Sequence, residues 1–252
     1  MINGKKFLIF IVAYNANKTI RPLLDRIPKQ TLEVADEILI ADDCSQDDTY
    51  ELVLDYIKKY NMKKMKVVKH EKNKGYGGNQ KWGYNYAIKN NFNIVVMVHG
   101  DAQYPPEYIL DLISPIAKGK AGFMFGSRIA GNPLKGGMPL YKFFGNKFLT
   151  SVENLILGTK LSEFHSGFRA YSVDDLREIP FNKNSDDFHF DSEIIIQFVL
   201  AKKTIGEIVI PTKYGDEKCH VNSVKYGFNV LRVLGEYKLH KFKLKNYEKY
   251  NL

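Results

Sequence analysis

Cysteine is nearly absent: Cys44 and Cys219 are the two among 252 residues. They stand far apart and without metal-ligand spacing, and the adjacent Cys219 and His220 do not make a zinc site. A disulfide-stapled scaffold is thereby excluded, and a reducing, cytoplasmic setting is the default. Long apolar runs are missing too. The run from Phe7 to Ala13 falls far short of the ~18 apolar residues that cross a bilayer. No small-residue cleavage site follows it, so it does not read as a signal peptide. Membrane contact, where it occurs, is expected to be peripheral, on the inner face of the membrane. There is no internal repeat and no low-complexity tract.

Charge is what the chain has in excess, with 37 Lys and Arg against 28 Asp and Glu, a formal net charge of +9. Such a balance suits phosphorylated substrates, anionic lipid or nucleic acid, or simply lysines used for solvation. The tail residues Lys238, Lys241, Lys243, Lys245 and Lys249 fit that last reading. The basic residues are scattered and form no recognised nucleic-acid module, which removes nucleic acid as a partner. With 44% hydrophobic and 26% charged residues, the composition is that of a globular protein able to bury a large core.

The first half alternates between two periodicities. Phe7 to Val12, Glu37 to Ala41, Lys66 to Val68 and Ile94 to Val98 are apolar runs, as strands buried on both faces require. Between them, Thr19 to Ile27, the segment after Asp47 and Asp48, and Gly78 to Asn90 have helical spacing. Strand and helix in alternation predict an α/β fold with a mostly parallel sheet flanked by helices. The second half is less regular: a strand over Gly122 to Gly126, a Gly/Pro loop from Asn132 to Pro139, a helix over Leu140 to Leu157, and a strand over Ile205 to Pro211. The reading is one catalytic domain over 1–215 and a basic amphipathic tail over 216–252.

Ligands of open parallel sheets bind beyond the carboxyl ends of the strands. Those ends read Ala13-Tyr14-Asn15, Asp42-Asp43 and His99-Gly100-Asp101-Ala102-Gln103-Tyr104, beside a Gly-rich stretch that includes Gly75, Gly77 and Gly78. Carboxylates there can accept from a base or sugar, or hold a divalent cation; Asp42 and Asp43 can equally cap the next helix.

The series AYNA, DDCSQDDT, HGDAQYPPE, GSR and SGFRAY, in that order from about Phe7 to Tyr214, resembles family 2 glycosyltransferases of the GT-A (Rossmann-like) fold. Within that family it is similar to the polyprenyl- and dolichyl-phosphate sugar synthases. The resemblance implies a metal-dependent, inverting transfer of a sugar from a GDP- or UDP-sugar to a polyprenyl phosphate. The alternatives are transfer to a sugar hydroxyl of a polysaccharide or glycolipid, or a non-catalytic module that binds nucleotide sugars or a membrane surface. It implies a nucleotide pocket of Ala13, Tyr14, Asn15, Asp42, Asp43 and Gly75, with Asp43 on the base. It also implies Mn²⁺ or Mg²⁺ at Asp101, Gln103 and His99.

His99 departs from the family pattern, standing where an aspartate is usual. It is either a ligand, which favours Mn²⁺ over Mg²⁺, or a residue behind the ligands. Ala16 departs as well, replacing an acidic residue, and leaves the base open. By the same resemblance Arg128 and Arg169 hold phosphate groups, the alternative being structural pairing with an acid. A hydroxyl acceptor needs a carboxylate base, for which Asp191 and Glu193 are candidates; they also suit the first turn of a helix. Two amphipathic stripes complete the reading. Phe144, Phe148, Val152, Leu155 and Ile156 are expected to pack on the sheet, whereas Tyr226, Val230, Val233, Leu234 and Tyr237, with basic neighbours, suit either packing or an anionic membrane surface.

Overall fold

The computed structural model describes residues 1–212 and 222–252. Cys219, His220 and the expected boundary at 215/216 lie outside the described residues.

The apolar runs form the centre of the sheet. Strands β1 (Phe7–Ala13), β2 (Glu37–Asp42), β3 (Met65–Lys69) and β4 (Ile94–His99) are mutually parallel. Leu8 and Phe10 face one side and Phe7, Ile9 and Ile11 the other, each into a separate apolar cluster, because successive strand residues alternate across the pleat. Three further strands, β5 (Phe123–Ser127), β6 (Arg169–Ser172) and β7 (Ile205–Val209), complete a sheet ordered β3-β2-β1-β4-β6-β5-β7. β6 runs antiparallel to both neighbours, β4 and β5, while β5 and β7 are parallel.

One face is covered by α1 (Ile20–Arg26), α3 (Thr49–Lys59) and α5 (Ile109–Ala117); α2 (Lys29–Val34) is a short turn of helix before β2. The other is covered by α4 (Tyr76–Lys89), α7 (Val173–Glu178), α8 (Phe190–Leu200) and α9 (Ser223–Lys241). The packing is close: a methyl group on Gly83 of α4 would stand 2.2 Å from the Phe10 ring. α8 escapes periodicity analysis because nearly all its residues are buried, and a helix apolar all round has no stripe to detect.

The two amphipathic helices differ from expectation. α6 (Leu140–Leu157) buries Thr150, Glu153 and Leu157 and leaves Tyr141, Phe144, Phe148 and Leu155 exposed. Of its stripe, Val152 and Ile156 pack against the core, whereas Phe144, Phe148 and Leu155 turn outward and the inward side also holds the polar contacts of Asn146 and Glu153. On α9 the stripe Val230, Val233, Leu234 and Tyr237 is buried in the core together with Tyr250. A membrane contact through those residues is thus ruled out; the outward set is Val224, Phe228 and Leu231.

Candidate active site

The loops after β1, β2 and β4 meet at one edge of the sheet. Ser45 Oγ accepts from Asn15 N at 2.8 Å, Thr49 Oγ1 from Ala16 N at 2.8 Å, and Asn15 Oδ1 from Gln46 N at 2.8 Å. Thr19 Oγ1 donates to the Gly100 carbonyl at 2.8 Å and Arg26 to the Ala102 carbonyl at 3.0 Å, so α1 holds the third loop. Each loop carries a non-glycine residue at positive φ: Asn15 at 49°, Cys44 at 63° and Ala102 at 61°. Such strain persists where surrounding structure over-determines it, and it clusters at functional sites.

Tyr14 and Asn15 are exposed on this edge, while Ala13, Asp42 and Asp43 are buried. Neither aspartate caps α3; Asp47 Oδ1 accepts from Thr49 N instead. Asp42 Oδ1 accepts from Ser45 N, and its Oδ2 is buried without a protein partner among the described residues. Asp43 Oδ1 accepts from Lys74 N at 2.7 Å. Burial raises the Asp43 pKa above the ordinary carboxylate value, against the lowering effect of the Lys74 hydrogen bond. Gly75 is fixed by contacts of its own loop and of Asp186. Its N–H is used by Asn73 Oδ1, and its missing side chain is required by the Asp186 carbonyl, 2.6 Å from where a Cβ would stand. Gly77 and Gly78 likewise donate to that carbonyl.

His99 and Asp101 lie at the end of β4. Asp101 Oδ1 accepts from Gln103 N at 3.0 Å, which turns the loop and places Gln103 beside it. The His99 ring sits between Tyr76 and Tyr104, with centroids 5.5 and 5.1 Å away, and burial lowers its pKa so that it is neutral. Tyr76 Oη donates to Asp191 Oδ2 at 2.9 Å and lies 3.2 Å from His99 Nε2. A phenol has a single proton. Nε2 must therefore donate to Tyr76, which leaves Nδ1 as the lone pair of His99.

Among the described residues no three His, Cys, Asp or Glu side chains converge as metal ligands. Asp101 and His99, two residues apart at the end of β4, are a carboxylate and an imidazole, donor types compatible with a cation that takes its remaining ligands from substrate phosphates and water. The pair does not make a closed structural cage.

Asp191, in the first turn of α8, accepts from Tyr76 through Oδ2 and from Gln80 through Oδ1 at 3.1 Å, and pairs with Arg169 at 3.4 Å. Both Asp191 oxygens are thus engaged within the protein, in the first turn of a helix as the alternative reading of this residue has it. Glu193 is likewise spent, on Lys249 and on Ser185 N. Arg169 is buried and donates to the Ser166, Asp191 and Phe164 carbonyls. It holds the loop and does not reach outward for phosphate. Arg128 is paired with buried Glu163, donates to the His165 carbonyl at 3.0 Å and lies over the Tyr104 ring at 5.5 Å. Both arginines thus make structural pairs with acids.

Gln80 and Glu163 went unnoticed in the sequence, and Tyr76, Tyr104 and Gly167 stood within its motifs without an assigned role. Tyr76 and Gln80 are four apart on α4, a spacing that puts both on one face, and both reach Asp191. Gly167 is required because a Cβ there would stand 2.3 Å from His99 Nε2.

Residues 8–180 match Glycosyl transferase family 2. A UDP-N-acetylglucosamine–dolichyl-phosphate N-acetylglucosaminyltransferase of Methanococcus voltae is 29% identical over 237 residues, covering 90% of this chain and 93% of that one. A low-salt glycan biosynthesis hexosyltransferase, Agl6, of Haloferax volcanii is 29% identical over 163 residues, 64% of this chain and 38% of its own. Glucosyl-3-phosphoglycerate synthase of Mycobacterium tuberculosis, crystallised with Mn²⁺, UDP and phosphoglyceric acid, superposes with a TM-score of 0.68 at 16% identity, over 92% of this chain and 78% of that one. The same enzyme has been crystallised with Mg²⁺ and UDP. At that identity the likeness establishes the GT-A fold alone.

Proposed function

The chain belongs to Glycosyl transferase family 2, and from that premise we propose that it moves a sugar from a UDP-sugar to a polyprenyl phosphate. The observation that carries the acceptor class is the engagement of both Asp191 oxygens by Tyr76, Gln80 and Arg169. A hydroxyl acceptor needs a base within hydrogen-bond reach. A phosphate monoester arrives with an anionic oxygen and needs none. The similarity to a dolichyl-phosphate N-acetylglucosaminyltransferase along nearly its whole length points the same way.

In this reading the acceptor oxygen attacks the anomeric carbon from the side opposite the diphosphate. A carbon–oxygen bond forms there, the bond to the leaving phosphate breaks, and the configuration inverts. Tyr14 and Asn15 line the nucleotide pocket, and Asp43 accepts from the base. Asp101 and His99 Nδ1 would hold Mn²⁺ or Mg²⁺, with Gln103 beside them, and imidazole ligation favours Mn²⁺. When bound, the cation neutralises charge on the departing diphosphate. Tyr76 keeps His99 in the tautomer that offers Nδ1, and Arg169 fixes Asp191 beneath them.

The test is product analysis with a panel of UDP-sugars, polyprenyl phosphate and Mn²⁺. A lipid-linked phosphodiester sugar is expected, and Asp101→Asn should lower turnover by about 100-fold or more, the scale for losing one preorganised electrostatic group. A glycoside formed on a hydroxyl acceptor, or full turnover by Asp101→Asn at matched metal concentration, refutes the reading.

A further inference from the structure

α6 presents large apolar residues outward as well as inward, where Leu149, Val152 and Ile156 pack against the core. On its inner side Asn146 donates to Glu163 at 3.0 Å, and Glu153 accepts from Ser192 at 3.0 Å. On its outer side Phe144, Phe148 and Leu155 are 64%, 63% and 85% exposed. α9 packs alongside it, with Gly227 opposite Leu149. Its outward residues Val224, Phe228 and Leu231 recur at helical spacing, and Phe228 is 72% exposed. Single exposed apolar residues need no explanation, but two neighbouring helices presenting large ones outward do.

We propose that the outer faces of α6 and α9 together form a docking surface for an anionic lipid bilayer. The inference rests on the lipid-phosphate acceptor proposed above and names the surface that brings the active site to it. Charge selects the occupant. Lys147 sits between the two phenylalanines of α6, and on α9 Lys225 and Lys238 border the stripe within a chain of net charge +9. Aromatic and aliphatic residues edged by lysine suit the headgroup boundary, where the rings enter the acyl layer and the ammonium groups meet phosphate. The surface is also backed by the active site, since Asn146 holds Glu163, which clamps Arg128 over Tyr104.

The experiment is co-sedimentation of the full chain with phosphatidylcholine vesicles, with and without phosphatidylglycerol, at low and high salt. Wild type should pellet with anionic vesicles and be released by salt. The triple variant Phe144→Ser, Phe148→Ser, Phe228→Ser should lose about tenfold or more in partitioning, because the buried apolar area sets the strength. These side chains are exposed, so its melting temperature and its stabilisation by UDP with Mn²⁺ should match wild type. The proposal is overturned if wild type stays in the supernatant under all conditions or if the triple variant pellets equally. It is also overturned if size-exclusion chromatography finds a dimer that the variant dissolves, which would make a second copy the occupant. Failure of wild type to respond to UDP counts instead against the function proposed above.

Discussion

At the scale of single residues, the site depends on one position that has no side chain. Gly167 donates its N–H to Tyr104 Oη at 2.7 Å while its Cα faces His99 Nε2 and Tyr76 Oη. Gly167→Ala would place a methyl 2.3 Å from that nitrogen and 3.2 Å from that oxygen. The imidazole has to move, and with it the lone pair at Nδ1. Overpacking of this kind costs about 1–3 kcal/mol of stability, which a domain of this size survives. A displacement of about 1 Å at reacting groups costs about 100-fold in rate. The expected variant is folded by circular dichroism, slightly less stable and about 100-fold slower. Turnover within a few-fold of wild type would show that His99 does not need its observed position.

At the scale of elements, the clamp between the loop before β6 and the strand end of β5 is the interaction most exposed to acid. Glu163 is fully buried. Desolvation is the largest influence and pushes its pKa up, but the Arg128 charge and hydrogen bonds from Arg128 and Asn146 together bring it below the usual 4.5. A carboxylate with a depressed folded pKa contributes stability that is complete above its unfolded value and lost as pH falls through the folded one. Wild type should therefore lose stability from about pH 4.5 downward, and Glu163→Gln should lack that component. At neutral pH Glu163→Gln should cost about 3–5 kcal/mol, because a buried cation loses its partner. Denaturant melts of both proteins across pH check this, and parallel pH curves would contradict it.

The same elements show what the sequence exposes and what it hides. β1, β2 and β4 were legible because strands buried on both faces must be continuously apolar, and their carboxyl ends displayed Asp43 and Asp101 directly. β6 was not: it has four residues, begins with an arginine and exists through its antiparallel partners. The stripe of α6 was legible but its division was not, since periodicity does not say that Val152 and Ile156 face the core while Phe144, Phe148 and Leu155 face outward. Arg169 is the same problem in miniature, because the fork that suits phosphate equally suits three carbonyls.

At the scale of the whole molecule, the order of strands in space departs from their order along the chain. β6 lies between β4 and β5, with Val96 opposite Ala170 and Met124 opposite Ala170 on the other side. During synthesis the free edge of β4, whose residues Ile94 to Val98 are all buried in the finished fold, must therefore wait for its proper neighbour. At ~5–20 residues per second, the interval from β4 to β6 lasts roughly 4–15 s. β5 emerges first, and it runs in the same direction as β4, since both are antiparallel to β6. It can thus pair with the bare edge one position too early. An unpaired apolar edge invites such errors. Ribosome-stalled chains ending near residue 160 should be held by chaperones and degraded readily by protease. Chains long enough to expose β6 and β7 should be released and resistant. Equal protection of the two lengths would mean that β4 is shielded by other means, and the newborn chain would then need no help to wait.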